Sequence, residues 1–598
     1  MAERLADHDA TYERNGQTEE HPGFLRRYVF STDHKIIGIQ YILTGLLMAV
    51  VGSLLAVMIR LQLGWPTHQW GLLGRLFPTG MSSGIMTPEF YLALVTMHGT
   101  IMVFFFISYV LVSGFGNYLI PLQVGARDMA YPFLNMLSYW VALVSALVML
   151  ASFFVAGGAA AAGWTAYPPL SAVWNAVPGS AWGQTFWLLA MALFIASMTM
   201  SGLNFVATIF SLRAQGMAMM RMPLTVWSYF ISAIMALLAF PPLTAAAVML
   251  LFDRHFGTSF FLPSGLVVSG QVLPNQGGSP LLWQHLFWFL GHPEVYVLIL
   301  PALGIANDVL PVFTRKPMSG YRIQVYCLIA VGVLGMVVWG HHMFVSGMSP
   351  FSGEYFSVAT LTITLPMAIF GVNMMASLWG GTLRLTTPML FALGTIGFFG
   401  TGGIGGLFLG NATADMQLHD TYFVVGHFHF MIAGVTLLGT FTAIYFWFPK
   451  MFGRFMNEAL GKAHFWLTFV PFFTVFFMQH FLGLQGMPRR YYAFSTYEFL
   501  KPTTGQNVII SIAALILTGG QLVFLANFCW SLLKGRSAEA NPWHATTLEW
   551  TVPSPPPHGN FGHVLPVVHR WPYEYSVEGC AADHTPQTVS PRDVPVTA

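Results

Sequence analysis

Long apolar stretches recur along almost the whole chain, separated by short polar breaks that often contain proline or glycine. A helix that spans a bilayer needs about 20 mainly apolar residues, and about twelve stretches meet that requirement. Their approximate limits are 36–59, 90–119, 133–156, 184–210, 225–250, 282–310, 323–345, 355–379, 388–410, 420–447, 464–484 and 507–533. The pattern therefore predicts an all-α, polytopic membrane protein of about twelve transmembrane helices.

The composition agrees with this prediction. Only 8% of the 598 residues are charged, whereas a soluble protein carries about 25%. The net charge of +2 argues against a nucleic-acid partner. The three cysteines, Cys327, Cys529 and Cys580, are too far apart in sequence for a disulfide framework or a thiolate metal site. We therefore expect any bound metal to be held by histidines.

The basic residues are distributed unevenly between the two sets of loops. With the N-terminus inside, most lysines and arginines fall in the inner loops, and the outer loops hold only Arg75, Arg254, Arg489, Arg490 and Lys501. Basic loops stay on the cytoplasmic side, so both termini are predicted to be cytoplasmic. The chain then divides into an N-terminal segment 1–30, a twelve-helix domain 31–540 and a C-terminal tail 541–598.

Six histidines fall inside four of the predicted spans, where ionisable side chains are costly and usually functional. They are His98, His292, His341, His342, His427 and His429. Residues i and i+2 of a helix point about 200° apart, so His427 and His429 can each bind one of two haems that flank their helix. A haem with a second axial ligand transfers electrons, and a haem without one stays open to O₂. A lone histidine such as His98 is also compatible with a helix–helix hydrogen bond.

The remaining intramembrane histidines suit a copper ion. His292, His341 and His342 supply three imidazoles, and imidazole binds copper well. Tyr296 follows His292 by one helical turn and lies on the same face. An iron and a copper ion together supply one electron too few to cleave O₂. A phenol at this position can supply the missing electron.

Several specific motifs occur between Ser31-Thr-Asp-His-Lys35 and Asn541-Pro-Trp-His-Ala-Thr-Thr-Leu-Glu-Trp550. They include Gly114-Phe-Gly-Asn-Tyr118, Trp288-Phe-Leu-Gly-His-Pro-Glu-Val-Tyr296, Trp339-Gly-His-His-Met343 and Gly483-Leu-Gln-Gly-Met-Pro-Arg-Arg490. Together these motifs resemble subunit I of the haem–copper cytochrome c oxidases, in particular the aa3-type with D-pathway residues.

The resemblance implies a role for each intramembrane histidine. His98 and His429 match the axial ligands of the low-spin haem, and His427 matches the proximal ligand of the O₂-binding haem. His292, His341 and His342 match the CuB ligands, with His292 cross-linked to the catalytic Tyr296. Both haems are expected to be of the a type.

Further site residues follow from the same resemblance. Arg60 matches an arginine near the formyl group of the low-spin haem, and Arg489 and Arg490 match a propionate-binding pair. His419 and Asp420 match ligands of an Mg²⁺ ion at a subunit interface. The residues that match the D proton pathway of the family are Asp128, Asn117, Asn135, Asn204 and Glu294. Burial of Glu294 beside Pro293 is expected to raise its pKa and suit it to hold and release a proton as a catalytic residue.

The implied function is a respiratory terminal oxidase that reduces O₂ to water with electrons from cytochrome c, takes up protons and pumps them. The implied partners are a subunit II that carries CuA and a subunit III, in a bacterial-type inner membrane. In related oxidases that use quinol, polar residues bind the quinol head group. The matching positions in this chain are all apolar: Val51, Leu55, Phe90 and Ala93. Apolar side chains cannot hydrogen-bond a quinol head group, so cytochrome c is the expected donor.

The clearest departure from the family concerns the K proton pathway. Phe370 stands in place of its lysine and Met367 in place of its threonine, while Asn307 and Asp308 replace the usual Ser and His. Because Phe and Met cannot relay protons, we predict that the usual K route is closed. Polar residues of the same helix, namely Thr362, Thr364, Asn373 and Ser377, are candidates for another route.

Two other functions compete with this interpretation. The missing K-pathway lysine also fits a nitric oxide reductase of the same superfamily, but those enzymes lack the tyrosine that stands here as Tyr296. A transporter would use twelve helices and buried charges as well, but it would contain no haem.

Overall fold

The computed structural model describes residues 23–176, 180–268, 270–275, 277–562, 564–578, 580 and 582–593, and nearly all regular structure in them is helical. The twelve principal helices are α1 His34–Gly64, α2 Pro88–Val124, α3 Pro132–Ala151, α4 Trp182–Ser211, α5 Leu224–His255, α6 Pro280–Thr314, α7 Tyr321–Gly335, α8 Pro350–Ala376, α9 Thr387–Leu409, α10 Tyr422–Phe452, α11 Glu458–Leu484 and α12 Thr504–Lys534.

Shorter elements connect these helices. Two small antiparallel hairpins pair β1 Met81–Ser82 with β2 Ile85–Met86, and β3 Val267–Val268 with β4 Gln271–Val272. Short α-helices cover Gly71–Leu76 and Ala412–Leu418. Single turns of 3₁₀ or π type cover Leu25–Val29, Ser152–Phe154, Met219–Arg221, Trp339–Met343, Phe494–Thr496, Glu498–Thr503, Leu548–Thr551 and Pro591–Asp593.

The prediction of an all-α membrane protein is confirmed. Within the described residues, eleven helices are long and apolar enough to cross a membrane, and α7 is a shorter apolar helix of 15 residues. The predicted stretch 323–345 is therefore not one continuous helix. It ends at Gly335, and a 3₁₀ turn at Trp339–Met343 follows. The count of twelve transmembrane helices and the sidedness of the termini stay predictions.

The break after α7 is explained by the contacts that the residues after it make. Neighbouring residues of an α-helix point about 100° apart, whereas the rings of His341 and His342 approach each other and the same third ring. Gly340 fits closely under the next helix, because a Cβ atom there would lie 2.3 Å from the ring of Phe356. The 3₁₀ turn is tighter than an α-helical turn, and its glycine lets it pack closely against α8. Both features direct the two histidine rings towards His292.

Helix α6 is the most thoroughly buried of the long helices. It packs against α5, α9 and α10, and its whole second half, from Gly291 to Thr314 apart from Val295, is buried. A residue in this half of the helix is therefore shielded from the lipid and from the bulk water outside the protein. The tail adds to the core at one end of the helices, where Trp550, Tyr573 and Tyr575 are buried.

Candidate haem and metal centre

Three histidines from two segments of the chain meet in the interior. His292 lies on α6, and His341 and His342 lie on the turn after α7. Each offers one ring nitrogen, and these three atoms lie within 4.8 Å of one another. The Nε2 atoms of His341 and His342 are 3.0 Å apart, and His292 Nδ1 is 3.3 Å from His342 Nε2. Three imidazoles at this spacing fit one transition-metal ion, and copper is among the metals that they suit.

Neighbouring side chains orient this triad. The Thr360 hydroxyl donates to the carbonyl of Phe356, so it accepts the Nδ1–H of His341 at 2.8 Å and leaves His341 Nε2 free. The Trp288 ring stacks on His342 with centroids 3.9 Å apart. Partners of this kind fix the orientation of a metal-binding ring.

Replacing Thr360 with valine keeps the shape of the side chain and removes the acceptor. Loss of such a partner lowers metal affinity by about 10- to 100-fold, so we expect the variant to lose copper from this site during dialysis against a chelator, measured by metal analysis. Thr362→Val is a matched control, because the Thr362 hydroxyl is exposed and, among the described residues, bonds to the Val358 carbonyl of its own helix. Equal copper retention in the two variants would contradict the role of Thr360.

His98 and His429 face each other across the space between α2 and α10. Their ring planes differ by 10° and their centroids are 6.5 Å apart. An imidazole nitrogen lies about 2 Å from a bound metal ion, so two rings on opposite sides of one ion have centroids roughly 6 Å apart. His98 Nδ1 donates to the Gly52 carbonyl and His429 Nδ1 to the Val425 carbonyl, both at 2.9 Å. Both Nε2 lone pairs are therefore free, as axial ligation of a haem requires.

Arg60 gives an independent test of the fit of a haem here. Its guanidinium donates to the Asn507 carbonyl at 2.9 Å and to the Ser511 hydroxyl at 3.0 Å. Within the described residues its buried Nη1 has no hydrogen-bond partner. A buried unpartnered donor on a cation is costly, and a polar oxygen on the rim of a haem would satisfy it.

His427 points away from His429, as the i, i+2 spacing predicts. Its Nδ1 donates to the Gly402 carbonyl of α9 at 2.8 Å, which leaves Nε2 free for a metal. Gly405 and Gly406 give the ring its room, because a Cβ atom at either position would lie 3.1 Å from a ring atom of His427. The glycine pairs of α9 thus let an imidazole pack against the helix backbone.

A cluster of charged residues lies at the ends of α9, α10 and α11. Arg489 forms an ion pair with Asp420, and His419 Nε2 is 3.8 Å from Asp420 Oδ2. Although burial opposes it, Arg489 holds the pKa of Asp420 below its usual value. Burial, and then Arg489, lowers the pKa of Arg490 to about 10. Asp415, which no sequence motif singled out, also belongs to the cluster, because its buried carboxylate lies 3.3 Å from His419 Nδ1.

Tyr296 lies beside the triad, as predicted. Its ring centroid is 4.9 Å from that of His292, at an interplanar angle of 72°. Gly335 of α7 allows this packing, because a Cβ atom there would lie 2.8 Å from the Tyr296 ring. The phenol is therefore held next to the candidate copper ligands.

Asp128 lies in the loop between α2 and α3, close to the start of α1. Burial, and then the Asp33 carboxylate, raises the pKa of Asp128 to about 7. The tail closes over this loop, because Asn560 donates to the Ala126 carbonyl and His558 is 3.0 Å from Asp33. A carboxyl group that titrates near neutral pH is suited to accept and release protons.

The three predicted asparagines lie between this loop and the protein interior. Asn204 pairs with both the N–H and the carbonyl of Tyr131, at 3.0 and 3.1 Å. Asn117 donates to the Ser113 carbonyl at 2.8 Å. Both side-chain polar atoms of Asn135 are buried, and the described residues provide them with no partner. Buried unpaired amides in native proteins call for ordered water.

Glu294 borders a small internal cavity between α2, α4, α5 and α6. The cavity of about 20 Å³ exceeds the 10–15 Å³ that one water needs. Its polar lining consists mainly of Ser108, Ser113, Ser201, Ser232 and Tyr229 besides Glu294. Glu294 Oε2 is buried and makes no hydrogen bond to the described protein atoms. The cavity suits a water that links the serines to this carboxyl group.

Two positions at which the K proton pathway is predicted to be interrupted carry apolar side chains in the protein core. Phe370 is buried, and Met367 packs against the same core. The alternative candidates on α8 do not share one buried face, because Thr362 is exposed whereas Ser377 is buried. Asn373 donates to the Ile369 carbonyl of its own helix.

Comparison with known proteins agrees with this arrangement. The family described as "Cytochrome C and Quinol oxidase polypeptide I" matches residues 36–516. The chain is 50% identical over 567 residues to the "Alternative cytochrome c oxidase subunit 1" of Bradyrhizobium diazoefficiens, which covers 94% of this chain and 93% of the relative. It is 40% identical to "Cytochrome c oxidase subunit 1" of Cereibacter sphaeroides, with 93% and 98% covered.

A solved structure gives the same fold at lower sequence identity. It is described as "Cryo-EM structure of a heme-copper terminal oxidase dimer provides insights into its catalytic mechanism", and it matches with a TM-score of 0.67 at 20% identity over 85% of each chain. The family match covers well over half of this chain, and the relatives match along nearly their whole length. The chain therefore belongs to the cytochrome c and quinol oxidase polypeptide I family, the subunit I of the haem–copper oxidases, and is an oxidoreductase of the cytochrome c oxidase type.

Proposed function

We propose that this chain is the catalytic subunit of a respiratory terminal oxidase that reduces O₂ to water with electrons from cytochrome c. His98 and His429 would hold a low-spin haem, His427 a second haem, and His292, His341 and His342 a copper ion. The haems and copper, when bound, supply the electron transfer and O₂ reduction. The observation that carries the proposal is the convergence of three histidine nitrogens within 4.8 Å in the interior.

The chain's own residues position these groups and handle protons. Carbonyl and hydroxyl acceptors hold the Nδ1 atoms of four of the six histidines, which leaves their Nε2 atoms free to bind a metal. Arg60 would meet a haem oxygen with its unpaired Nη1, and Arg489 and Arg490 would meet the propionates. Tyr296, beside His292, would donate a hydrogen atom, and Glu294 would pass protons inward from its cavity.

The proposed assembly includes further subunits. The chain has three scattered cysteines, so a CuA centre would come from subunit II, and subunit III would complete the complex. His419 and Asp420 would hold Mg²⁺ where subunit II meets this chain, since carboxylate oxygens suit that ion. The complex would lie in a bacterial-type inner membrane with both termini of this chain in the cytoplasm.

Protons would enter at Asp128 and pass Asn117, Asn135 and Asn204 towards Glu294, for consumption and for pumping. Asp128→Asn removes the group that accepts the proton, so we expect turnover to fall by about 100-fold, within the range for loss of a general acid–base group. The pKa of Asp128 is raised to about 7, so its protonated fraction falls as the pH rises through 7. Wild-type turnover is expected to decline over this range.

The readout is O₂ consumption against pH together with proton release from reconstituted vesicles. The remaining turnover of the Asp128→Asn variant is expected to lack the inflection near pH 7. Glu539→Gln, a change of an exposed acid in the segment before the tail, serves as a control with wild-type behaviour. A variant at Asp128 with the turnover and pH profile of the wild type would contradict the assignment.

The function itself is tested by the substrate. We expect the purified complex to consume O₂ rapidly with reduced cytochrome c and to consume NO slowly. A nitric oxide reductase would show the reverse preference. A complex that consumes neither, with no haem bands in its reduced-minus-oxidised spectrum, would contradict the proposal.

The K route is proposed to be closed at Phe370 and Met367, since neither side chain can relay a proton. The protons that this route delivers in relatives must then follow another path through the chain.

A further inference from the structure

A pair of buried carboxyl groups lies where the tail meets the end of α6. Asp308 belongs to α6, and Glu549 belongs to a turn of the tail. The side-chain amide of Gln123 donates to both, at 3.3 Å to Asp308 Oδ2 and 3.1 Å to Glu549 Oε1. The Tyr573 hydroxyl also donates to Asp308, and the Trp447 indole donates to Glu549 at 3.2 Å.

The charges around this pair do not balance. The titratable groups that face it from the surrounding elements are Lys450 of α10, Tyr321 of α7, and Tyr573 and Tyr575 of the tail. Only Lys450 brings a positive charge, and its ammonium donates to the carbonyls of Ala540 and Val552 rather than to either carboxylate. Two carboxyl groups therefore share one cation, and a buried unpaired charge is costly. One of the two is expected to hold a proton.

Three hydroxyl-bearing residues of α5 follow one another at helical spacing from Asp308 towards the internal cavity. The backbone N–H of Thr225 donates to Asp308 Oδ1 at 3.4 Å, and the Ser228 hydroxyl donates to the Thr225 carbonyl at 2.7 Å. One turn further, Ser232 lines the internal cavity. Its hydroxyl is buried and has no partner among the described residues.

A glycine on the opposite helix makes room for one of these hydroxyl groups. A Cβ atom at Gly304 of α6 would lie 2.3 Å from the Ser228 hydroxyl oxygen. Near the carboxyl pair, the buried Asn307 Oδ1 also lacks a partner among the described residues. Residues three or four apart on a helix are separated by a rise of about 4.5 to 6 Å, a gap that one bridging water can span.

We propose that Asp308 and Glu549 form a proton-holding site, and that protons pass from it along Thr225, Ser228 and Ser232, through intervening waters, into the internal cavity. Only protons move along this path, from carboxyl to water to hydroxyl, and no redox step is involved. The inference rests on the proposed function for the use of the protons. It gives the chain a proton route that avoids Phe370.

The test uses the purified complex with all its subunits. Asp308→Asn removes the proton-holding group, and Gly304→Ala places a methyl group against Ser228. For both variants we expect proton uptake after photolysis-triggered O₂ reaction, followed with a pH dye, to slow by at least about 10-fold, with unchanged haem spectra. Gly397→Ala on α9 is a matched control, because a Cβ atom there has nothing within 4 Å, and it should behave as the wild type.

A wild-type uptake rate in either variant with intact haem spectra would overturn the route. If Asp308→Asn does not assemble, infrared spectroscopy replaces it. The wild-type complex should show a protonated-carboxyl band that shifts in D₂O and is lost in Glu549→Gln, and its persistence in that variant would overturn the site. If the wild-type complex takes up protons during the O₂ reaction and the variants do so at the same rate, only the route is refuted. A wild-type complex inactive with O₂ refutes the proposed function.

Discussion

Replacing His292 with alanine is expected to remove copper from this chain and stop O₂ reduction while both haems stay bound. His292 supplies one of three nitrogens that lie within 4.8 Å of one another, and it lies apart from the His98–His429 pair. Loss of a mere outer partner costs about 10- to 100-fold in affinity or activity, so loss of a ligand should cost more than about 100-fold. The measurements are O₂ turnover, copper content and the haem spectrum of the purified complex.

The control for this variant is another buried histidine. His464 is buried and bonds to Tyr445 and Gln521 on neighbouring helices, away from the triad. His464→Gln should keep copper and turnover, even if its stability decreases. A His292→Ala complex with full copper content and turnover would contradict the assignment of the triad.

Replacing His98 with alanine is expected to have the second large effect, and on a different group. The low-spin haem would lose one of two ligands whose rings are nearly parallel and 6.5 Å apart, and Arg60 alone cannot hold it. We expect the pyridine haemochrome assay to show about half the haem of the wild type, with cytochrome c oxidation lost, because two haems are proposed and one depends on His98.

The outcome of this substitution separates the two haem sites. His427, which bonds to Gly402 on α9, should still hold its haem, and carbon monoxide should still bind to the reduced variant. Loss of both haems in a complex that remains assembled, or retention of both, would contradict the separate roles of these histidines.

Much of the fold follows from local pattern alone. The long apolar stretches predicted nearly every helix, because a bilayer span must be helical and of a certain length. The opposite directions of His427 and His429 also followed from helical periodicity. The break after α7 did not, since the stretch 323–345 is mainly apolar and the convergence of His341 and His342 on His292 is visible only in the structure.

The partners of the site residues depend on contacts that are distant in sequence. Thr360 lies 19 residues from His341, and no local pattern identifies it as an acceptor. The glycines of α9 were visible in the sequence, but their role emerges only from the closeness of His427. Likewise, the carboxyl pair of Asp308 and Glu549 joins residues from α6 and the tail, which sequence reasoning alone could not bring together.

Locating the metals in the purified complex tests the roles of the six histidines most directly. Anomalous X-ray scattering at the iron and copper absorption edges should place one iron between His98 and His429, a second iron at His427, and a copper among His292, His341 and His342. The absence of metal at these histidines, or the placement of all iron and copper elsewhere in the complex, would contradict the account.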